Sequence, residues 1–212
     1  MTNKEYYDTV SEYVKQIESC IENTMHIANE VIGKTFFSFD LYFWGMMDRN
    51  IYLAKGFIQM LKDRNLTCAG ALLRLQLDNC MRLLAISIAE DENQVIDCVI
   101  NGGNISKLKD KNGKKMTDTY LKHQMNQYDK QLSGVYNQAS GFVHFSGKAV
   151  YQSIVEWNEK DFRLILGGEL PEKRNDPLIE CAQAFCRYYR LFLHFMKYEA
   201  EWKKNYEKSL EE

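Results

Sequence analysis

Residues 66–89 form a segment that is apolar on nearly every side of a helix, and its only charged residues are Arg74, Asp78 and Arg82. A helix that is apolar all round is normally buried, and a buried charge is costly unless it is paired and hydrogen-bonded. Because the three charged residues are four positions apart, they share one side of the helix. The segment therefore predicts a buried central helix whose polar stripe is the first place to look for a functional site.

Apolar residues recur at helical spacing over most of the chain, and only two prolines, Pro171 and Pro177, interrupt it. This pattern predicts an all-α protein, a multi-helix bundle that forms a single domain over residues 1–212. The longest helices are expected near the two ends of the chain, at about 4–32 and 178–208. The predicted fold therefore buries the 66–89 segment among long amphipathic helices.

Shorter elements are predicted from local signals. Asp40 has the character of an N-cap for the second helix, and two further helices are expected at about 118–128 and 130–145. β-branched and aromatic residues predict one small β-hairpin insertion over about 149–166. The segment 101–115 is rich in Lys, Gly and Asn, so we expect it to be a mobile surface loop.

Composition restricts the class of protein. A net charge of -2 gives no overall bias toward nucleic acid or acidic lipid, so any polyanion binding must be local. The six cysteines contain no CxxC pair, which favours a reduced, cytoplasmic protein. The sequence contains no uncharged apolar run of membrane-spanning length and no metal-ligand spacing or phosphate-binding loop. We therefore expect no membrane insertion, no metal and no cofactor.

A second polar stripe lies at Tyr136, Ser140 and His144, again four residues apart. If its helix packs against the central one, the two stripes meet and form one cluster that can bind an anion. The six ligand-binding candidates are Arg74, Asp78, Arg82, Tyr136, Ser140 and His144.

The charge balance of this cluster leaves two interpretations open. Asp78 neutralises only one of the two arginines, and the other guanidinium group would suit a phosphate or carboxylate ligand. Alternatively, the protein itself supplies the partner through Glu156, Glu169 or a helix C-terminus, and the cluster only holds helices in register.

Three runs of sequence support a family resemblance: LLRLQLDNC at 72–80, KLKDKNGKKMTDTYL at 107–121 and SGFVHFS at 140–146. In this order they resemble a group of uncharacterised bacterial helical proteins that has no established activity. The helix with the pattern Y-x3-S-x3-H also resembles the HEPN superfamily. That resemblance implies binding of nucleotides or RNA, often with ribonuclease activity in toxin and phage-defence systems, and a site shared by the two protomers of a homodimer.

HEPN nucleases pair an Arg with a His that follows it by four to six intervening residues. Arg187 and His194 in RYYRLFLH are the weaker alternative catalytic pair on this criterion, although Tyr188 replaces the polar residue expected after the Arg. His144 combined with Arg74 or Arg82 is another arrangement. The competing interpretation of Arg187 and His194 is a solvated basic face on the last helix.

Three functional hypotheses follow from the sequence. The first is a binding protein that holds a small anionic ligand, such as a nucleotide, between the two polar stripes. The second is a HEPN-like ribonuclease or toxin that acts on RNA. The third is a structural or assembly protein in which both stripes are internal contacts.

Overall fold

The computed structural model describes residues 1–144, 146–152, 154–157, 162–167 and 171–211. Within these residues the chain is predominantly helical, with one antiparallel pair of strands. The elements in chain order are α1 (Asn3–Ile32), α2 (Ser38–Lys62), α3 (Leu66–Ile88), α4 (Glu92–Ile100), α5 (Asp118–Met125), α6 (Leu132–Val143), α7 (Gly147–Gln152), β1 (Ile154–Trp157), β2 (Phe162–Leu164) and α8 (Asn175–Glu211). The predicted all-α bundle with long terminal helices is confirmed.

Helix α3 is the central element, as its sequence predicts. It contacts α2, α6 and α8, while α1 packs along α8 and α2. Leu77, Cys80 and Leu84 of α3 are completely buried. No described helix contains a stretch that is both long and apolar enough to cross a membrane. The fold therefore places the polar stripe of α3 against several neighbouring helices at once.

The start of α2 differs from the sequence prediction. The helix begins at Ser38, and Asp40 lies in its first turn, where its carboxylate accepts the backbone N–H of Phe37 at 2.7 Å. The prediction that Asp40 is the N-cap residue is therefore wrong. Asp40 instead forms a buried ion pair with Lys203 of α8, a long-range contact that local capping signals do not reveal.

The hairpin region is partly as predicted. Strands β1 and β2 pair antiparallel, with Ile154 opposite Leu164, whereas Gly147–Gln152 is the short helix α7 and not the start of a strand. The carbonyl of Tyr151 in α7 accepts a hydrogen bond from Arg174 at 2.9 Å. We attribute the difference to such tertiary contacts, which override β-propensity. Residues 145, 153, 158–161 and 168–170, which include parts of the predicted helix end and hairpin and Glu169, lie outside the described residues.

The segment 101–115 contains a short 3-10 turn at Ile105–Lys107 and is otherwise non-helical. Asp110 is buried, and its carboxylate accepts the backbone N–H groups of Asn112 and Lys114 at 3.0 and 2.7 Å. The hydroxyl of Tyr120 in α5 donates to the same carboxylate. The lysine-rich segment is therefore anchored to α5 through one buried acid.

Candidate functional site

The polar stripes of α3 and α6 meet at Arg74. Its Nε donates to Ser140 Oγ at 3.1 Å, and its Nη2 donates to the hydroxyl of Tyr136. The guanidinium group also lies 3.6 Å from the centroid of the Tyr136 ring. Within α3, Nη1 forms an ion pair with Asp78. The structure thus brings together four of the six candidate residues.

These contacts occupy all three nitrogens of the Arg74 guanidinium group. Its side chain is only 13% exposed. Burial raises the pKa of Tyr136, which keeps the phenol protonated and able to hydrogen-bond. Because the group is largely buried and each nitrogen already contacts a protein partner, it is poorly accessible to a ligand. Arg74 therefore holds α3 and α6 together, as the structural interpretation of the stripe expects.

The second arginine of the stripe has a protein partner as well. Arg82 Nη2 lies 2.8 Å from Oδ1 of Asp118, the first residue of α5. The sequence pointed to Glu156, Glu169 or a helix C-terminus for this role, whereas the observed partner comes from a helix that is distant in sequence. The Arg82 side chain is 29% exposed, so solvent still reaches it.

His144 does not join the cluster. It is the C-cap residue of α6, it is exposed, and its backbone N–H donates to the carbonyl of Ser140 at 3.1 Å. None of the contacts described for the chain links its imidazole to Arg74 or Arg82. The four-residue spacing places His144 one residue beyond the end of α6, where the backbone is extended and no longer helical.

Two residues of α2 belong to this site although sequence reasoning missed them. Arg49 donates to Asn79 of α3, and Asn79 in turn donates to Asn50 at 3.2 Å. Burial of part of the Arg49 guanidinium lowers its pKa, Asp78 opposes this change, and Arg82 adds to it. Arg49 therefore lies within electrostatic range of both Asp78 and Arg82, and the attraction to Asp78 is the stronger of the two effects.

Tyr42 is the second missed residue. Its ring is buried, and its hydroxyl has no hydrogen-bond partner among the described residues. Burial raises its pKa to about 12, while Arg82 and Arg49 act in the opposite direction. Tyr42 and Arg49 are seven residues apart and so share one face of α2. That spacing was the available sequence signal for this part of the site.

We call the resulting group of charged residues the arginine cluster. Lys122 of α5 adds a further cation, because its Nζ lies 5.2 Å from the Tyr136 ring centroid. The cluster consists of four cationic and two anionic residues, namely Arg49, Arg74, Arg82, Lys122, Asp78 and Asp118. Because Asp78 pairs with Arg74 and Asp118 pairs with Arg82, the excess positive charge comes from Arg49 and Lys122 and not, as the sequence had suggested, from Arg82.

Arg187 and His194, the weaker alternative catalytic pair, contact different parts of the protein. Arg187 forms a two-pronged ion pair with Asp129, at 2.6 Å from Nε and 2.8 Å from Nη2, and donates to Gln131 at 2.7 Å. His194 is exposed and lines an open groove between α1 and α8, together with Arg190. The residues between α5 and α6 thus engage Arg187, and His194 faces a different surface.

Comparison with known proteins gives no relative: no protein-family model, no curated protein and no solved structure matches the chain. Any functional proposal therefore depends on the geometry of the chain itself.

Proposed function

We propose that the chain binds a small ligand with a phosphate or carboxylate group, such as a nucleotide, at the open side of the arginine cluster. The observation that carries this proposal is the environment of Arg49. Its described hydrogen-bond partner is the neutral Asn79, and it forms no ion pair among the described residues, although both Asp78 and Arg82 lie within electrostatic range. A bound anion would supply the directly paired counter-charge that Arg49 lacks.

The cluster offers suitable donors to such an anion. The described contacts use Nη1 of Arg49 and Nη2 of Arg82, so each guanidinium retains N–H groups for a ligand. The hydroxyl of Tyr42 is sealed from solvent and is not counted among these donors. Two guanidinium groups with unused N–H groups suit phosphate and carboxylate oxygens.

Arg74 has a different role in this proposal. Its contacts with Asp78, Tyr136 and Ser140 fix α3 against α6. Because Arg82 lies two turns further along α3, this attachment also fixes the helix that carries the binding arginine. Arg74 is therefore a positioning residue, and Arg49 and Arg82 are the residues expected to contact the ligand.

Thermal-shift measurements with pyrophosphate, AMP and ATP test this proposal. A ligand present at about 100 times its Kd should stabilise the wild-type protein by about 2.7 kcal/mol. Arg49→Gln and Arg82→Gln should each lose most of this effect, whereas Arg163→Gln is a charge-matched control on the exposed surface of β2. No stabilisation by any of the three anions, or equal stabilisation of Arg49→Gln, would refute the proposal.

An RNA-directed function of the HEPN type is a second candidate. The observation that favours it is the groove between α1 and α8, of about 550 Å³, whose lining includes His194, Arg190 and Lys197, together with Lys15 paired to Glu12. Basic side chains along such a groove suit a phosphate backbone. Arg187 gives this candidate less support, because Asp129 and Gln131 already engage its guanidinium group.

Incubation of the protein with single-stranded RNA tests the second candidate. Cleavage that disappears in His194→Ala, and persists in His144→Ala, would assign the activity to the groove. Cleavage that survives both substitutions together would come from neither histidine and would exclude a HEPN-like mechanism that uses them.

A further inference from the structure

A second cavity, away from the arginine cluster, lies where α8 passes α2, α3 and α4. Its volume is about 240 Å³. Four aromatic side chains contribute to its lining: Phe39, Phe43, Tyr198 and Trp202. Tyr198 and Trp202 are 64% and 38% exposed, so the aromatic lining extends to the surface and a ligand can enter.

The aromatic rings support one another by edge contacts. Phe39 lies at 5.4 Å from Trp202 and 6.5 Å from Phe43, measured between ring centroids, and both pairs are close to perpendicular. Trp202 also stacks on Tyr206 at 5.3 Å. Packed rings of this kind hold their positions without a ligand, which lowers the entropic cost of binding.

Glu199 contributes the decisive polar group. Its side chain lines the cavity and is neither fully buried nor exposed. Within the described part of the chain its carboxylate makes no hydrogen bond and no ion pair. Burial and the nearby Glu92 raise its pKa to about 7. An unpaired carboxylate in such surroundings gains stability from a cation brought beside it.

The cation already present in the cavity does not fill this role. Lys111 contributes to the lining, but its Nζ donates to the carbonyl of Ser87 at 3.2 Å, in the last turn of α3. No ion pair between Lys111 and Glu199 occurs among the described residues. The cavity thus combines aromatic rings with a carboxylate that lacks a counter-ion.

We propose that this cavity binds an organic ammonium ion, with the cationic head between the aromatic rings and the Glu199 carboxylate. Aromatic faces attract ammonium groups through the ring quadrupole, and the attraction increases when the cation is desolvated. The cavity is smaller than the pockets that accept drug-sized molecules, which start at about 300 Å³. It therefore suits a choline-like or short alkylammonium group.

The charges around Glu199 determine how binding should depend on pH. Glu92 faces it from α4 and Lys111 from the segment before α5, while Lys203 lies behind Phe39, where it is paired with Asp40. The pKa of Glu199 is about 7, so its ionised fraction increases between pH 6 and pH 8. Affinity for the ammonium ion should therefore increase as the pH rises from 6 to 8.

Titrations with choline and with butylammonium, followed by Trp fluorescence and by calorimetry at pH 8, test the proposal. Glu199→Gln should bind either cation roughly tenfold more weakly. Glu201→Gln removes the same charge from an exposed neighbouring position of α8 and should bind like the wild type. The uncharged analogue 3,3-dimethyl-1-butanol should bind more weakly than choline.

Three results would overturn the proposal: failure of both cations to bind, equal binding by Glu199→Gln, or equal binding of the uncharged analogue. Because Glu199→Gln removes a carboxylate that is costly to bury, the variant is expected to fold. The arginine cluster is not involved in this experiment, so its outcome is independent of the proposed anion binding.

Discussion

Lys203 and Asp40 form an ion pair inside the bundle, where their side chains are 2% and 0% exposed. Lys203 Nζ also donates to the carbonyl of Ile32 at 3.2 Å and lies 4.7 Å from the centroid of the Phe37 ring. Asp40 in turn accepts the backbone N–H of Phe37. One buried pair thus joins the end of α1 and the start of α2 to the last third of α8.

Removal of one member of this pair should be strongly destabilising. Lys203→Met leaves the Asp40 carboxylate buried without a counter-charge, which typically costs about 3–5 kcal/mol. Asp40→Asn keeps an acceptor for the Phe37 N–H but leaves Lys203 unpaired. The double variant should lose much less than the sum of the two single losses. Denaturant unfolding measures all three, and strictly additive losses would contradict the assignment.

The contacts of Arg74 predict a graded series of stability losses. Tyr136→Phe removes one hydrogen-bond partner and should cost about 1 kcal/mol, and Ser140→Ala a similar amount or less. Arg74→Met leaves Asp78 without its ion-pair partner and should cost more than either. His144→Ala should change the free energy of unfolding by less than about 0.5 kcal/mol, because its side chain is exposed.

Denaturant unfolding of these four variants is the measurement. A loss for His144→Ala as large as that for Tyr136→Phe would show that the imidazole belongs to the cluster after all.

Arg187 and His194 should also differ in their effect on stability. Asp129 is only 4% exposed and depends on Arg187 for its charge partner, so Arg187→Gln should cost about 1–3 kcal/mol. His194→Ala removes an exposed side chain and should be nearly neutral. Thermal unfolding of the two variants provides the comparison. Equal and small effects would indicate that the Arg187–Asp129 pair contributes little.

Glu199 predicts a pH-dependent contribution to stability. Its pKa is raised from 4.5 to about 7 in the folded protein, so the fold disfavours the ionised form. The resulting decrease in the free energy of unfolding is absent below pH 4.5 and develops as the pH rises to 7. Glu199→Gln removes this cost. The stability advantage of the variant over the wild type should therefore grow by on the order of 1–2 kcal/mol from pH 5 to pH 8.

Unfolding free energies of both proteins at pH 5 and pH 8, without added cations, provide the measurement. A constant difference between the proteins at the two pH values would exclude this behaviour of Glu199.

Local patterns predicted much of the site. The four-residue spacing of Arg74 and Asp78 in an apolar helix, and of Tyr136 and Ser140 in another, was sufficient to expect that these side chains meet. Helical periodicity determines which side chains share a face, and the most polar face of a buried helix needs a polar partner. The same reasoning failed at His144, because spacing cannot show that the helix ends one residue earlier.

Other features were not accessible from local patterns. Asp118 as the partner of Arg82, and Arg49 as its neighbour, depend on how α5 and α2 lie against α3. Asp40 has the sequence features of an N-cap, and only the position of Lys203 in α8 reveals its buried ion pair. Gly147–Gln152 is helical although its β-branched and aromatic residues favour a strand.

The sequence by itself determined the all-α fold class, the central position of the 66–89 segment and the meeting of its stripe with the Tyr136–Ser140 face. These follow from helical periodicity and from the cost of burying unpaired charge, both of which act over a few residues. Only the tertiary structure decided that Arg74 is largely buried by its protein partners, whereas Arg82 remains partly exposed to solvent. That distinction depends on the partners that distant helices supply, and chain packing, not local sequence, selects those partners.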